Sequence, residues 1–186
     1  MNLSAPLNNL NKGFTLIELL VSIGILGILA AALITTIDPF EQLNKATDTN
    51  IKNASVEFHN ALLRYYTTHN ALPWETTANG GDDACNAVAG GADVATKTLS
   101  NLGACIDALV ADAELKLGFK DFKDLSKIYI TEPDPQSSRQ NDTVICFKPI
   151  SKSQQREAAT KYSNTGAVGT NCKSTGGTTD CNWCTQ

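Results

Sequence analysis

The chain has 186 residues, of which 42% are hydrophobic, and a formal net charge of −4. A chain of this length can form one anchor and one modest globular domain, which excludes two full domains. The acidic balance and the lack of a basic stripe argue against a nucleic-acid backbone as an obligate partner.

An apolar segment near the N-terminus is the first predicted element. From Leu19 to Ile37, nineteen consecutive residues carry no charge. As an α-helix this run would be roughly 28 Å long, close to the thickness of a bilayer's hydrocarbon core. Glu18 directly precedes the run, although a carboxylate in lipid is costly unless it is paired. The length predicts a membrane span, and Glu18 needs a partner.

Two interpretations place a cleavage site differently. In an ordinary secretory signal, Lys12 would be the basic region and Ala30-Ala31-Ala32 the cleavage site, but the run exceeds the roughly 7–15 apolar residues of such signals. Alternatively, cleavage after Gly13 would give Phe14 a cationic α-amine one helical turn from Glu18, or beside the Glu18 of an adjacent subunit. Either pair would neutralise the carboxylate, and an intermolecular pair would also fix the stagger between neighbouring helices.

The sequence KGFTLIELLVSIGILGILAAALI, which begins at Lys12, closely resembles the processing motif of type IV prepilins and of type II secretion pseudopilins. Gly13 matches the residue before the cut, Phe14 the N-methylated first mature residue, and residues 15–19 the positions after it. The resemblance implies a prepilin peptidase and methyltransferase, storage in membrane lipid, and a pilus assembly platform. By the same resemblance, Glu18 is the carboxylate that sets the register between subunits.

The resemblance also implies a location and a set of partners. Residues 14–37 would contact identical or related pilin subunits in an extracellular filament. Before assembly, the chain would cross the cell membrane once, with its head outside the cytoplasm. Many members of the family carry a proline at a spacing that falls at Thr35 here, whereas this chain has Pro39. Gly24 and Gly27 are the other points at which the helix is weakened.

A second, amphipathic helix is predicted after Pro39. Apolar residues recur at steps of three or four from Phe40 to Tyr65, and Asp38 before Pro39 suits a helix start. The helix should end near His69. Two pairs at i,i+4 spacing, Glu41–Lys45 and Asp48–Lys52, are predicted on its solvent side.

The remaining chain mixes loop, helix and strand signals. Glu75–Thr98 contains two Gly-Gly pairs and is predicted as loop. Apolar spacing from Leu102 to Leu117 predicts a helix, followed by a short helical turn at Phe119–Leu125.

The last third of the chain is predicted to form a small sheet. Lys127–Thr131 and Thr143–Ile150 are predicted strands, separated by the turn-rich EPDPQSSRQND. Gln154–Tyr162 favours helix, and the tail from Asn164 should be loop with at most one short strand.

A long spine helix packed on a small antiparallel sheet is an α+β architecture. The predicted organisation is a leader that the peptidase removes, a transmembrane and filament-core helix, an amphipathic half of the same spine, and a disulfide-linked head. These correspond to residues 1–13, 14–37, 38–70 and 71–186.

All six cysteines lie in the predicted head: Cys85, Cys105, Cys146, Cys172, Cys181 and Cys184. An even number beyond an apolar anchor indicates an oxidising compartment and up to three disulfides. We favour a Cys85–Cys105 bond, with the other four pinning the tail to the strand that contains Cys146. A zinc site is disfavoured because the CxxC pair at Cys181 and Cys184 has no second such pair.

No metal site, other cofactor or catalytic site is predicted. His59 and His69 are expected on the surface of the spine helix, and no Ser/His/Asp arrangement is visible. Loop carboxylates could bind calcium, but they lack a spaced ligand pattern and are predicted to be solvated. These are Asp82, Asp83, Asp134 and Asp142.

Three classes of function follow. The leading hypothesis is a structural filament subunit, with a pseudopilin of a type II secretion system as its close alternative. A single-pass surface protein with a ligand-binding head is the second class. A secreted enzyme is the third, and the missing catalytic constellation argues against it.

Overall fold

The computed structural model describes residues 13–36, 38–90, 97–131 and 143–185. The chain divides into two compact units, one up to Pro39 and one from Phe40 onward. The leader before Gly13 and the predicted turn at 132–142, with Asp134 and Asp142, lie outside the described residues.

The elements of the described residues confirm the α+β class. The helices are α1 (Leu16–Thr36), α2 (Pro39–His69), α3 (Asp83–Ala89), α4 (Gly103–Ala111) and α5 (Lys152–Gln155). The strands are β1 (Ile128–Thr131), β2 (Val144–Phe147) and β3 (Trp183–Cys184). They form one antiparallel sheet in the order β1-β2-β3, so the tail adds a single short strand as predicted.

The predicted spine is interrupted once. α1 ends at Thr36 and α2 begins at Pro39, where a residue without a backbone N–H is tolerated because the first turn has no use for that donor. α2 ends at His69 as predicted, and Asn70 follows in a left-handed conformation with φ of 54°. Such a residue stops a helix without a steric penalty that a branched side chain would carry.

α2 forms one wall of the core of the head. Its buried apolar side chains recur every three or four residues, so one stripe of the helix faces inward. They are Ile51, Ala54, Phe58, Ala61, Leu62 and Tyr65. The same cluster contains Ile106 of α4, Ile128 and Ile145 of the sheet, and Trp74.

The predicted loop at Glu75–Thr98 is wrong in part, because it contains α3. Asp82 is the N-cap of this helix, and its carboxylate accepts the backbone N–H of Cys85 at 2.7 Å. Cys85 and Ala89 are fully buried in the core. The helix is short, so tertiary burial and the cap stabilise it where the Gly-Gly pairs suggested loop.

Two other helix predictions were too long. α4 ends at Ala111, Ala113 has a left-handed φ of 58°, and Leu117 is 83% exposed. In the predicted helix Gln154–Tyr162, only the first two residues are helical, as the end of α5. Tyr162 is extended because its backbone exchanges two hydrogen bonds with Asn182.

Three disulfides cross-link segments of the head, and all six cysteines take part. Cys85 is bonded to Cys105, the pair that the sequence favoured. Cys146 on β2 is bonded to Cys184 on β3, and Cys172 to Cys181 within the tail. Cys181 and Cys184 therefore belong to different bonds.

Candidate processing and assembly site

The predicted cleavage point lies just before regular structure begins. Gly13, Phe14 and Thr15 are exposed and precede Leu16, the first residue of α1. The side chain of Phe14 is 80% exposed. A Cβ added at Gly13 would meet no described atom within 4 Å. Among the described residues, nothing covers the peptide bond between Gly13 and Phe14.

Thr15 and Glu18 form a capping box at the start of α1. The backbone N–H and the hydroxyl of Thr15 donate to Oε2 of Glu18 at 3.0 and 2.8 Å. The backbone N–H of Glu18 approaches the Thr15 hydroxyl oxygen at 3.3 Å. The two residues thus satisfy backbone donors that the first turn of a helix leaves without partners. The carboxylate also lies at the positive end of the helix dipole.

The capping box leaves part of the carboxylate available. Both donors of Thr15 meet the same oxygen, Oε2 of Glu18, so neither of these bonds occupies Oε1. A carboxylate has about four lone-pair sites and can accept from more than one direction. Glu18 can therefore cap its own helix and accept a hydrogen bond from a cation at the same time.

The rest of α1 presents apolar side chains around its whole circumference. Leu16–Ile34 is a 19-residue candidate membrane span with a mean hydropathy of 2.6, and all of its residues are exposed. Ser22 satisfies its hydroxyl within the helix by donating to the Glu18 carbonyl at 2.7 Å. By length and composition, this helix can cross a bilayer.

Gly24 and Gly27 lie within this span and interrupt its cover of large side chains. A Cβ at either position would meet no described atom within 4 Å. The backbone is therefore open to close approach by another helix, which is how small residues act in helix packing in membranes.

Residues 8–34 match the family model described as the prokaryotic N-terminal methylation motif. This segment is the prepilin signal of type IV pilins and pseudopilins. No curated protein and no solved structure matches the chain. The prepilin signal supports a type IV pilin-like or pseudopilin protein, and it implies processing by a prepilin peptidase and assembly with pilin subunits. With the apolar α1, it fits a membrane-anchored, surface-exposed pilin.

The roles of Gly13, Phe14 and Glu18 in the prepilin signal were predicted from the sequence, but the role of Thr15 was not. The signal for it is present, because Thr-x-x-Glu before an apolar run is the pattern of a capping box. The structure brings Thr15 and Glu18 together directly. Glu18 consequently has two separable properties, its hydrogen-bonding geometry and its charge.

The other candidate residues that the structure describes were Asp82, Asp83 and the two histidines. Asp82 caps α3, and Asp83 accepts the hydroxyl and the backbone N–H of Thr77 at 3.0 and 3.3 Å. His59 is half-buried, and burial lowers its pKa. In the described part of the chain, no group of three or more His, Cys, Asp or Glu residues could hold a metal ion.

His69 lies between a hydroxyl and a carboxylate at the end of α2. Its Nδ1 is 2.8 Å from the Thr68 hydroxyl, and its Nε2 is 3.5 Å from Asp112. The Thr68 hydroxyl is also 2.9 Å from the Tyr65 carbonyl. The C-terminal end of a helix carries partial negative charge on its carbonyl oxygens, which would destabilise the oxyanion that forms in an acyl transfer. Thr68, His69 and Asp112 therefore suit a helix cap better than nucleophilic catalysis.

Proposed function

We propose that the chain is the structural subunit of a type IV pilus-like filament, stored in the membrane and polymerised through residues 14–37. The observation that carries this proposal is the exposed apolar surface of α1, which follows the helix-capping carboxylate of Glu18 within the prepilin signal. A helix that is apolar on all sides is stable in lipid or within a bundle of similar helices. When the subunit leaves the lipid, the core of the filament provides the bundle of similar helices.

The first step is hydrolysis of the Gly13–Phe14 peptide bond by the prepilin peptidase. The products are a carboxylate on Gly13 and an α-amine on Phe14, which is cationic near neutral pH and is then methylated. Methylation of an amine keeps its positive charge. Cleavage leaves Thr15 within the chain, so the capping box with Glu18 persists in the mature subunit.

The second step pairs charges between subunits. The Phe14 ammonium of one subunit approaches Glu18 of a neighbour, where Oε1 accepts its N–H while Oε2 stays on Thr15. Any other stagger of the two helices leaves a carboxylate and an ammonium unpaired in apolar surroundings, which is strongly unfavourable. The pair therefore sets the register of assembly.

Intact mass and filament recovery test this proposal together. The mature filament subunit should begin at N-methyl-Phe14, whereas a single-pass receptor would begin near Met1 and a secreted enzyme near Leu33. Gly13→Glu should block cleavage, so the protein should remain in the membrane at its precursor mass. Gly13→Ala is the matched control, because a peptidase can partly accept the small residue. Normal maturation of the Gly13→Glu protein would contradict the proposal.

A type II secretion pseudopilin is the alternative, since the prepilin signal is common to both. Recovery of surface filaments by shearing would support the pilus. Subunits that are mature but remain with the cell envelope would support the pseudopilus.

A further inference from the structure

We propose that Glu41 is a positioning residue for assembly, which keeps the first turns of α2 folded and attached to the head. These turns, residues 39–46, are called the junction segment, because the chain reaches the head from α1 through them. The inference rests on the proposed filament. In that filament α1 sets the register between subunits, and only a stiff junction segment gives every head the same position.

The described part of the head leaves the start of the apolar stripe of α2 exposed. Phe40 and Leu43 are 75% and 66% exposed, whereas Ile51, about two turns further along the same stripe, is fully buried. Thr47 lies between them and is half-buried. Packing of the stripe on the head therefore begins near Thr47. The turns before it form a helix end with little tertiary burial, and such ends tend to fray.

Glu41 attaches this exposed helix end to α5. Its Oε2 accepts the backbone N–H of Lys152 at 3.1 Å, and its Oε1 accepts that of Ser153 at 3.0 Å. Lys152 and Ser153 are the first residues of α5, so their N–H groups have no acceptor within that helix. Both oxygens of one carboxylate thus join the first turn of α2 to a segment 111 residues later in the chain, and the negative charge strengthens both bonds.

Asp48 attaches α2 to the same part of the head at a second point. It is fully buried and accepts the backbone N–H groups of Ile150 and Ser151. It follows Glu41 by about two turns, or roughly 10 Å along the helix axis. Asp48 holds the helix where apolar packing holds it as well, whereas Glu41 holds the turns that precede this packing. Without Glu41, the junction segment would be attached to the head at one end only and could unwind towards Asp48.

Hydrogen exchange of the mature full-length subunit in detergent tests the attachment. The amides of residues 43–46 donate to the first carbonyls of α2 and report whether its first turns stay folded. Glu41→Ala should make them exchange about tenfold faster, a factor in the range expected for hydrogen bonds to a charged group, while the midpoint of global unfolding changes little. Glu57→Ala is the control, because Glu57 also lies on α2 and pairs with Lys116 at the surface. Equal exchange in Glu41→Ala and the wild type would overturn the inference.

Two substitutions of Lys152 test the same contact from the head. Lys152→Pro removes the backbone N–H that Glu41 accepts, and proline suits the first position of a helix. The preceding Ser151 has a ψ of 139°, which is compatible with a following proline. Lys152→Pro should therefore speed exchange at residues 43–46, whereas Lys152→Ala keeps the N–H and should not. Glu41 could instead act only on the dipole of its own helix. The two variants would then exchange alike, and the inference would be wrong.

Sheared filaments test the role of Glu41 in assembly. Because Glu18 is unchanged, the Glu41→Ala subunit should mature fully and still form filaments. Their helical order should be poorer, seen as weaker or missing layer lines in power spectra of electron micrographs, whereas Glu57→Ala filaments should match the wild type. Faster exchange in Glu41→Ala together with wild-type helical order would mean that Glu41 stabilises a helix end without positioning the head, and would overturn the inference. A wild-type subunit that matures but forms no filaments would overturn the proposed function instead.

Discussion

The carboxylate of Asp48 accepts hydrogen bonds from both the hydroxyl and the backbone N–H of Ser151, at 2.6 and 2.7 Å. Asp48 is fully buried on α2, and both of its oxygens are also 3.0 Å from the backbone N–H of Ile150. Two turns earlier, Glu41 accepts the backbone N–H groups of Ser153 and Lys152, and these bonds lower its pKa. Two carboxylates of α2 thus hold the start of α5.

Asp48→Asn should destabilise the head. The amide nitrogen of asparagine cannot accept a hydrogen bond, so the backbone N–H of Ile150 keeps at most one of its two acceptor oxygens. The bonds from Ser151 also lose their charged acceptor, and we expect a total cost of about 1–3 kcal/mol in the free energy of unfolding. Denaturant unfolding of the mature protein measures this change. Asp107→Asn is the matched control, since Asp107 is exposed and its pair with Lys120 lies at the surface. Equal stability of the two variants would show that the Asp48 contacts contribute nothing.

The sequence could predict α2 but not this use of Asp48. The predicted start and end of the helix are confirmed, and so is the inward apolar stripe from Ile51 to Tyr65. The first residues of the predicted stripe are wrong, because Phe40 and Leu43 are 75% and 66% exposed. Apolar spacing also placed Asp48 on the solvent side with Lys52, which is wrong because Asp48 is buried. Lys52 contacts Glu157 at 3.2 Å and lies over the Trp183 ring at 5.0 Å. Periodicity within a helix cannot show that a segment a hundred residues later will cover one of its polar positions.

The stability lost when a disulfide is removed should increase with the length of the loop that it closes. The sequence separations are 38 residues for Cys146–Cys184, 20 for Cys85–Cys105 and 9 for Cys172–Cys181. In the chain-entropy model, paired replacement by serine should lower the free energy of unfolding by about 4, 3 and 2.5 kcal/mol, respectively. Denaturant unfolding of the three double variants would show whether the losses in stability have this order. A tail variant less stable than the other two would show that native contacts, rather than chain entropy, decide the effect.

His59 should make the head less stable in mild acid. Burial lowers its pKa, while a hydrogen bond with the backbone of Thr143 acts in the opposite direction. The unfolded chain therefore binds this proton more readily than the folded one. The His59 contribution to stability is unchanged above the unfolded pKa of about 6.5 and becomes unfavourable as the pH falls below it.

Melting temperatures between pH 7 and pH 5 test this dependence. His59→Gln should reduce the loss of stability on acidification. His69→Gln is the control, because His69 is more exposed and stands at the end of α2. An unchanged pH profile in His59→Gln would rule out His59 as the source.

The candidate site was largely predictable because its signal is local. The Gly13–Phe14 junction, Glu18 and the apolar run are contiguous, so no knowledge of tertiary structure was needed to propose them. The head was less predictable, since α3 and the short α5 depend on caps and on burial against distant segments. Leu117 lies outside α4 and is 83% exposed, which its apolar spacing from Leu102 concealed.

Glu18→Gln should yield a mature subunit that assembles poorly. Glutamine keeps the size of the side chain and an oxygen that can accept from Thr15, so the capping box and the start of α1 should persist. Membrane insertion should be unchanged or improved, because the substitution removes a charge that lipid disfavours. Cleavage should also persist, since the scissile bond lies before Phe14. Only the pairing with a neighbour's ammonium is lost.

Glu18→Ala separates geometry from charge in the same experiment. It removes both the capping box and the charge, whereas Thr15→Val removes the hydroxyl but retains the Glu18 carboxylate. If charge sets the register, Thr15→Val should form more filaments than either Glu18 variant, because its carboxylate can still pair with a neighbour's Phe14. Shearing, filament quantification and intact mass give yield and maturation together. A fully processed Glu18→Gln subunit with wild-type filament yield would refute the pairing, and would leave the capping box as the reason for a hydrogen-bond acceptor at this position.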